Sequence, residues 1–265
     1  METIPSVFQT VFLPYGLWQA GQRYCTIAVR PISGHDEILV EEALAAGASV
    51  ARAGTLLIGL CASLTTEEGA QTALGSEAAR TLTLGDRELL FRAIFSSTFS
   101  PKVASGLPCP GDCGETIEFD LDLSIAPEMP PEPGPIHHLE FMGLQATCRL
   151  LTGADLEEAA GTDDPVSSLC HACTGNDALP CDVLAQELTR LDPNAETVIN
   201  LTCAACGHET QVYLDGFELI RHALATEGGI FRQVHILASA YGWREQDILA
   251  IPRARRRRYC ALANE

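Results

Sequence analysis

Two short stretches carry paired thiols. In "LTCAACGHETQVYL" (201–214), Cys203 and Cys206 are separated by two residues and followed by Gly207; in "LPCPGDCGETIEFDLDL" (107–123), Cys109 and Cys113 are separated by three and followed by Gly114. A Cys-x-x-Cys turn at the tip of a β-hairpin aims both sulfurs at one point, and the following glycine permits a left-handed backbone that brings amides toward them. That is the chemistry of a zinc knuckle. One knuckle supplies two ligands, whereas a structural zinc takes four. Cys109, Cys113, Cys203 and Cys206 are therefore expected to share one structural zinc ion. A four-cysteine shell leaves no open coordination position, so such a metal would hold the chain together rather than act on a substrate.

Other side chains compete for the role. Cys170 and Cys173 in "LCHACTG" form another pair, and with Cys203 and Cys206 they would make a four-sulfur set of zinc-ribbon type. A third reading keeps the hairpins without metal, as remnants of a lost site. The chain has 11 cysteines, an odd number, and "METIPSVFQTVFLPYG" lacks the basic lead and cleavage site of a secretory signal. Both observations favour thiols over a disulfide framework, and a cytoplasmic location. Cys25, Cys61, Cys148, Cys181 and Cys260 are read as small buried hydrophobes, and His137 and His138 as solvated. His35-x-Glu37 followed by Pro108-Cys109 approaches the zinc deaminase pattern, but the loop is one residue too long and the separation is large. Neither a phosphate-binding glycine loop, a nucleophile elbow nor a His-Glu-x-x-His element is present, and "GDRE" (85–88) is explained by helix capping. No catalytic residue is assigned, and the chain is expected not to be an enzyme.

The elements that must position the thiols are legible around them. Ile117, Phe119, Leu121 and Leu123 alternate with acidic residues, the period of a half-buried strand, as do Thr197, Ile199 and Leu201 before the second pair and Thr210, Val212 and Leu214 after it. The chain also resembles itself. "RYCTIAVRPISGHDEILVEEALAAG" (23–47) compares with "LQATCRLLTGADLEEAAG" (144–161), aligning Asp36 with Asp155. "LLIGLCASL" (56–64) compares with "VSSLCHACTG" (166–175), aligning Cys61 with Cys170, and "GDRELLFRAIFSSTF" (85–99) with "CDVLAQELTRL" (181–191). The expected fold is α+β: two pseudo-repeated halves, each with a Cys-knuckle β-hairpin, plus a C-terminal helical extension. The halves span 1–125 and 139–216, joined by the proline-rich linker 126–138. The extension, 217–265, contains "FELIRHALA" (217–225) and "IFRQVHILASAY" (230–241), the latter with Phe231, Val234, Leu237, Ala238 and Tyr241 on one face and Gly242 placed to stop it.

Charge is distributed unevenly. Net charge is −18 from 17 Lys+Arg and 35 Asp+Glu, yet the last fourteen residues, "PRARRRRYCALANE", hold five arginines and one acid. An acidic body repels phosphate, so nucleic acid is not an expected partner, and no apolar run reaches the length of a membrane span. "RARRRR" (253–258) is either a solvated helix satisfied by the molecule's own carboxylates or a basic handle for an acidic protein partner.

Taken together, "RPISGHDE", "LTLGDRELLFRAIF", the first knuckle, "LLTGADLEEAA", "LDPNAETVINLTCAACGH" and "VHILASAYGWREQDILAIPRARRRRY" resemble the baseplate proteins of contractile phage tails and phage-like contractile injection systems. The specific resemblance is to the T4-type baseplate hub assembly chaperone group, over about residues 23–262. It implies a non-enzymatic role in building the hub and baseplate, or in forming part of them, with other baseplate, hub, spike or tube proteins as partners. The location implied is the cytoplasm or the particle itself. The family's two Cys-Pro-x-Cys-Gly knuckles map onto Cys109/Cys113 and Cys203/Cys206; the extra residue in "CPGDC" and Ala204 in place of proline depart from its pattern. The resemblance also implies a partner-binding end in which Trp243 is an aromatic anchor and Arg253, Arg255, Arg256, Arg257 and Arg258 face the partner. The alternative function is a free-standing zinc-ribbon adaptor between proteins.

Overall fold

Two helix starts in this chain are built from the same local device. In a computed structural model, which describes residues 8–19, 21–65, 71–111, 113–124, 126–131, 134–141, 144–175, 179–226 and 228–263, Ser33 caps α1 (Gly34–Ala45) and Asp36 answers by accepting from the Ser33 amide. Arg30 grips the same carboxylate with both terminal nitrogens, at 2.6 and 3.0 Å. The pattern recurs at α5 (Gly153–Ala159): Thr152 and Asp155 form the capping box and Arg149 grips Asp155 at 2.7 and 2.6 Å. Burial alone would raise both carboxyls, but the arginine and the cap donors outweigh it and hold Asp36 and Asp155 below the usual carboxylate range.

The fold is α+β with small antiparallel sheets. β1 (Gln9–Gln19), β2 (Gln22–Val29), β3 (Ala62–Thr65) and β4 (Gln71–Ala73) form a four-stranded sheet in chain order, with α1 and α2 (Val50–Cys61) between its second and third strands. α3 (Gly75–Ala79), α4 (Leu84–Thr98) and the hairpin of β5 (Lys102–Pro108) and β6 (Thr116–Asp122) follow. Then come the hairpin of β7 (His137–Phe141) and β8 (Leu144–Cys148), α5, α6 (Pro165–Thr174), α7 (Cys181–Leu191) and the hairpin of β9 (Thr197–Thr202) and β10 (Glu209–Leu214). Helices α8 (Gly216–Thr226), α9 (Gly229–Tyr241), α10 (Glu245–Leu249) and α11 (Arg253–Ala263) complete the chain. Among the described residues no helix is long and apolar enough to cross a membrane.

One core joins Leu13, Leu17, Ile27 and Val29 of the sheet to Leu57 and Ile58 of α2, Leu90 and Ile94 of α4, and Phe217 and Ile220 of α8. A second gathers Leu139, Cys148, Leu150, Cys173, Leu184 and Leu191, together with Tyr15 from β1. Tyr15 crosses between them and donates its hydroxyl to the Leu191 carbonyl at 2.5 Å. Nearby, the Asp86 carboxylate accepts from the amides of Tyr15 and Gly16, at 3.3 and 2.6 Å, and the Asp192 carboxylate accepts from the Gly85 amide at 2.9 Å.

Several expectations are corrected. His137, read from the sequence as solvated, begins β7 and is buried against Tyr15, ring edge to face at 6.2 Å. The proline-rich connection is itself fastened, because the Asn194 side chain brackets Glu128 by accepting its amide and donating to its carbonyl. The inward face of α9 is Ile230, Gln233 and Leu237, leaving Phe231 and Tyr241 exposed. Cys170 and Cys181 are joined as a disulfide between α6 and α7, not present as thiols. The backbone contact that Arg30 makes with Cys61 is made by Arg149 with Cys173 and not with Cys170: the Arg30 amide donates to the Cys61 carbonyl, and the Arg149 amide to the Cys173 carbonyl.

Candidate metal centre

The β5–β6 and β9–β10 hairpins bring their tips together. Regular ladders run from Lys102 opposite Asp122 to Pro108 opposite Thr116, and from Thr197 opposite Leu214 to Thr202 opposite Glu209. Each tip is then closed by backbone bonds, Cys109 amide to Glu115 carbonyl at 2.8 Å and Cys203 amide to His208 carbonyl at 2.9 Å. Gly114 (φ 78°) and Gly207 (φ 74°) take the left-handed conformation that lets the chain reverse behind the second cysteine. Ile117 packs beside Cys109 and Cys203, with Leu107 and Leu201 beneath, so the hairpins meet on a small apolar floor.

The four sulfurs of Cys109, Cys113, Cys203 and Cys206 all lie within 4.8 Å of one another. Two contacts run between hairpins: Cys109 Sγ to Cys206 Sγ at 3.6 Å and Cys113 Sγ to Cys203 Sγ at 3.8 Å. A tetrahedron with metal–sulfur bonds of about 2.3 Å has sulfur–sulfur edges of about 3.8 Å. Those two spacings match such a shell, and the remaining ones lie within 4.8 Å. Cys109 and Cys203 are buried, while Cys113 and Cys206 face solvent.

Electrostatics favour a cation here. The backbone amides of Cys206 and Ala205 point at the Cys203 sulfur and bring its thiol down to about 7. At Cys109 the Gly111 amide pulls the same way, but desolvation and the three neighbouring sulfurs outweigh it and push the thiol up to about 12. Four thiols in one cage cannot all ionise without a counter-charge, and a divalent metal supplies it. Gly111 also explains how the longer "CPGDC" loop is tolerated. A Cβ there would lie 2.9 Å from His208 Cβ and 3.2 Å from Cys206 Sγ, so Gly111 lies directly against the partner knuckle.

The competing set is not assembled. Cys170 is bonded to Cys181, and Cys173 is buried in the second core, where desolvation pushes its thiol up to about 12. Glu37, of the deaminase-like pattern, is instead the buried partner of Arg253 (2.7 Å) and of Arg256. This corrects the expectation for two partner-facing arginines: Arg256 is fully buried, with its Nε donating to Gln233 Oε1 at 2.6 Å, and Arg253 is buried over the Phe99 ring. Arg255, Arg257 and Arg258 are exposed. Trp243 is partly buried, stacked on Tyr241 at 4.8 Å and edge-on to Tyr259 at 5.1 Å. Sequence reasoning also missed the band of buried charge on α4, Asp86, Arg87, Glu88 and Arg92, because runs of charged residues signal surface unless their partners are known.

Comparison of the chain with protein-family models, curated proteins and solved structures finds no match.

Proposed function

We propose that the chain is a non-enzymatic building block whose two knuckle hairpins are clamped by one structural zinc ion, bound by Cys109, Cys113, Cys203 and Cys206. The observation that carries this reading is the cross-hairpin approach of the sulfurs at 3.6 and 3.8 Å. The hairpins lie about ninety residues apart in the chain, so the metal would close a long loop, where a cross-link restricts the unfolded chain most. The repeated Arg-x-x-Ser/Thr-Gly-x-Asp bracket at Arg30–Asp36 and Arg149–Asp155 supports duplication of one ancestral unit, with α8–α11 added afterwards. Duplication explains why each half contributes one knuckle.

The particle-level reading rests on the resemblance of the sequence to contractile-tail baseplate proteins. In it, the chain helps assemble the hub and baseplate of a contractile injection system or is incorporated there. Its contact face is the C-terminal end, where Arg255, Arg257 and Arg258 are exposed and Trp243 packs against Tyr259 of the same helix. A basic face on a chain of net charge −18 favours oriented docking on an acidic neighbour. Deletion of the chain from a host that produces such particles is expected to leave tube and sheath proteins unassembled. Full assembly without it would refute the particle reading and leave the zinc-clamped adaptor standing.

A further inference from the structure

Two glycines that open helices, Gly34 of α1 and Gly153 of α5, are packed against buried guanidiniums. A Cβ at Gly34 would lie 2.6 Å from Arg256 Nη1, and one at Gly153 would overlap Arg87. Each glycine follows the capping hydroxyl and precedes the bracketed aspartate described above. The chemistry then diverges. Arg256 has Glu37, three residues beyond Gly34, as its carboxylate. The residue at the same place beyond Gly153 is Leu156.

Arg87 therefore has no carboxylate in direct contact as Arg256 has; Glu157 and Asp215 act on it only from beyond ion-pair distance. It is 3% exposed and donates only to neutral acceptors: Thr55 Oγ1 at 3.1 Å, the Ala79 carbonyl at 3.3 Å and the Ala51 carbonyl at 3.4 Å. Its closest link to a carboxylate runs through Thr55, whose hydroxyl donates to Glu157 Oε1 at 2.6 Å. Among the described residues, none of the ion pairs includes Arg87. Burial lowers its guanidinium to about 10. A buried cation without an adjacent anion is an unfavourable arrangement that a ligand can relieve.

Arg87 and Leu156 line one cavity of about 400 Å³, bounded by Val50 and Gly54 of α2, Phe91 of α4 and Phe217 of α8. That volume falls in the range of small-molecule sites. Of the two acids at the cavity, Glu88 pairs with Arg92 and accepts from the Gly216 amide, and exposed Asp215 caps the Glu218 amide and acts on Arg87 only at a distance. We infer that this cavity binds an apolar carboxylic acid, with its hydrocarbon part on the walls and its carboxylate beside Arg87, in the place that Glu37 takes beside Arg256. The inference is separable from the zinc reading, since none of the four cysteines lines the cavity and the second knuckle hairpin reaches it only with Leu214, at the far end of β10.

The test uses the full-length protein with decanoate as probe and 1-decanol as its uncharged analogue, titrated calorimetrically at pH 8. Saturable one-to-one binding of decanoate is expected, with decanol weaker by roughly tenfold or more, because a charge-assisted hydrogen bond is about twice as strong as a neutral one. Leu156→Glu would install the missing carboxylate within the chain. This variant is expected to melt at or above the parent temperature and to lose decanoate binding, while Leu156→Met keeps it. No saturable binding, equal affinity for acid and alcohol, a Leu156→Glu protein less stable than the parent, or a folded Leu156→Glu protein that still binds decanoate would each overturn the inference.

Discussion

At the scale of the single residue, buried charge decides most of what is specific to this chain. Desolvation raises Asp86 to about 7, against the pull of the Tyr15 and Gly16 amides, and raises Asp192 to about 6 against the Gly85 amide. Both carboxyls hold protons more tightly folded than unfolded. Their contribution is therefore fully present below the unfolded carboxylate value of about 4 and is lost as pH rises through the folded values. Asp192→Asn keeps the acceptor for Gly85 and removes the charge. It is expected to raise stability at pH 8 by on the order of 2 kcal/mol and to flatten the dependence between pH 5 and 8. Urea unfolding at both pH values measures this, and a variant whose pH dependence parallels the parent's would contradict it. The arginine run divides on the same logic. Arg256→Met leaves Glu37 buried with only Arg253 and is expected to cost about 3–5 kcal/mol, whereas Arg258→Ser leaves stability unchanged to within about 0.5 kcal/mol. The sequence displayed all five arginines alike. It carried no sign that Glu37, more than two hundred residues away, selects two of them.

At the scale of the element, glycines set how closely helices meet charged side chains. Gly85 opens α4 so tightly against Asp192 that a Cβ would overlap the carboxylate. Gly85→Ala is expected to destabilise the fold by about 1–3 kcal/mol despite alanine's higher helix propensity, through overpacking at the junction. A thermal melt unchanged or raised would contradict this. The knuckle strands were legible because one face is half-buried, giving clean alternation at Thr197, Ile199 and Leu201 and at Thr210, Val212 and Leu214. The inward face of α9 was misplaced by the hydrophobic pattern, because its buried stripe includes the polar Gln233, recruited to hold Arg256. His137 was hidden likewise: nothing in a proline-rich run shows that Tyr15 will cover it.

At the scale of the whole molecule, the two hairpin tips were predicted to meet, and four sulfurs within 4.8 Å realise that geometry. The sequence permitted it because each knuckle is incomplete alone and a four-thiolate shell needs both. It left the choice of second pair open, and the structure removes Cys170 and Cys173 by placing them in a disulfide and in the core. Replacing Cys206 by Ala is expected to release the metal and lower the melting temperature by roughly 5–10 °C, corresponding to about 2–3 kcal/mol for a chain of this size. Cys173→Ala should leave metal content unchanged. The most direct measurement is zinc content together with X-ray absorption at the zinc edge on protein purified without added metal. The account predicts about one zinc per chain with four sulfur neighbours at about 2.3 Å. Absence of zinc, or a shell containing nitrogen, oxygen or water in place of sulfur, would contradict it.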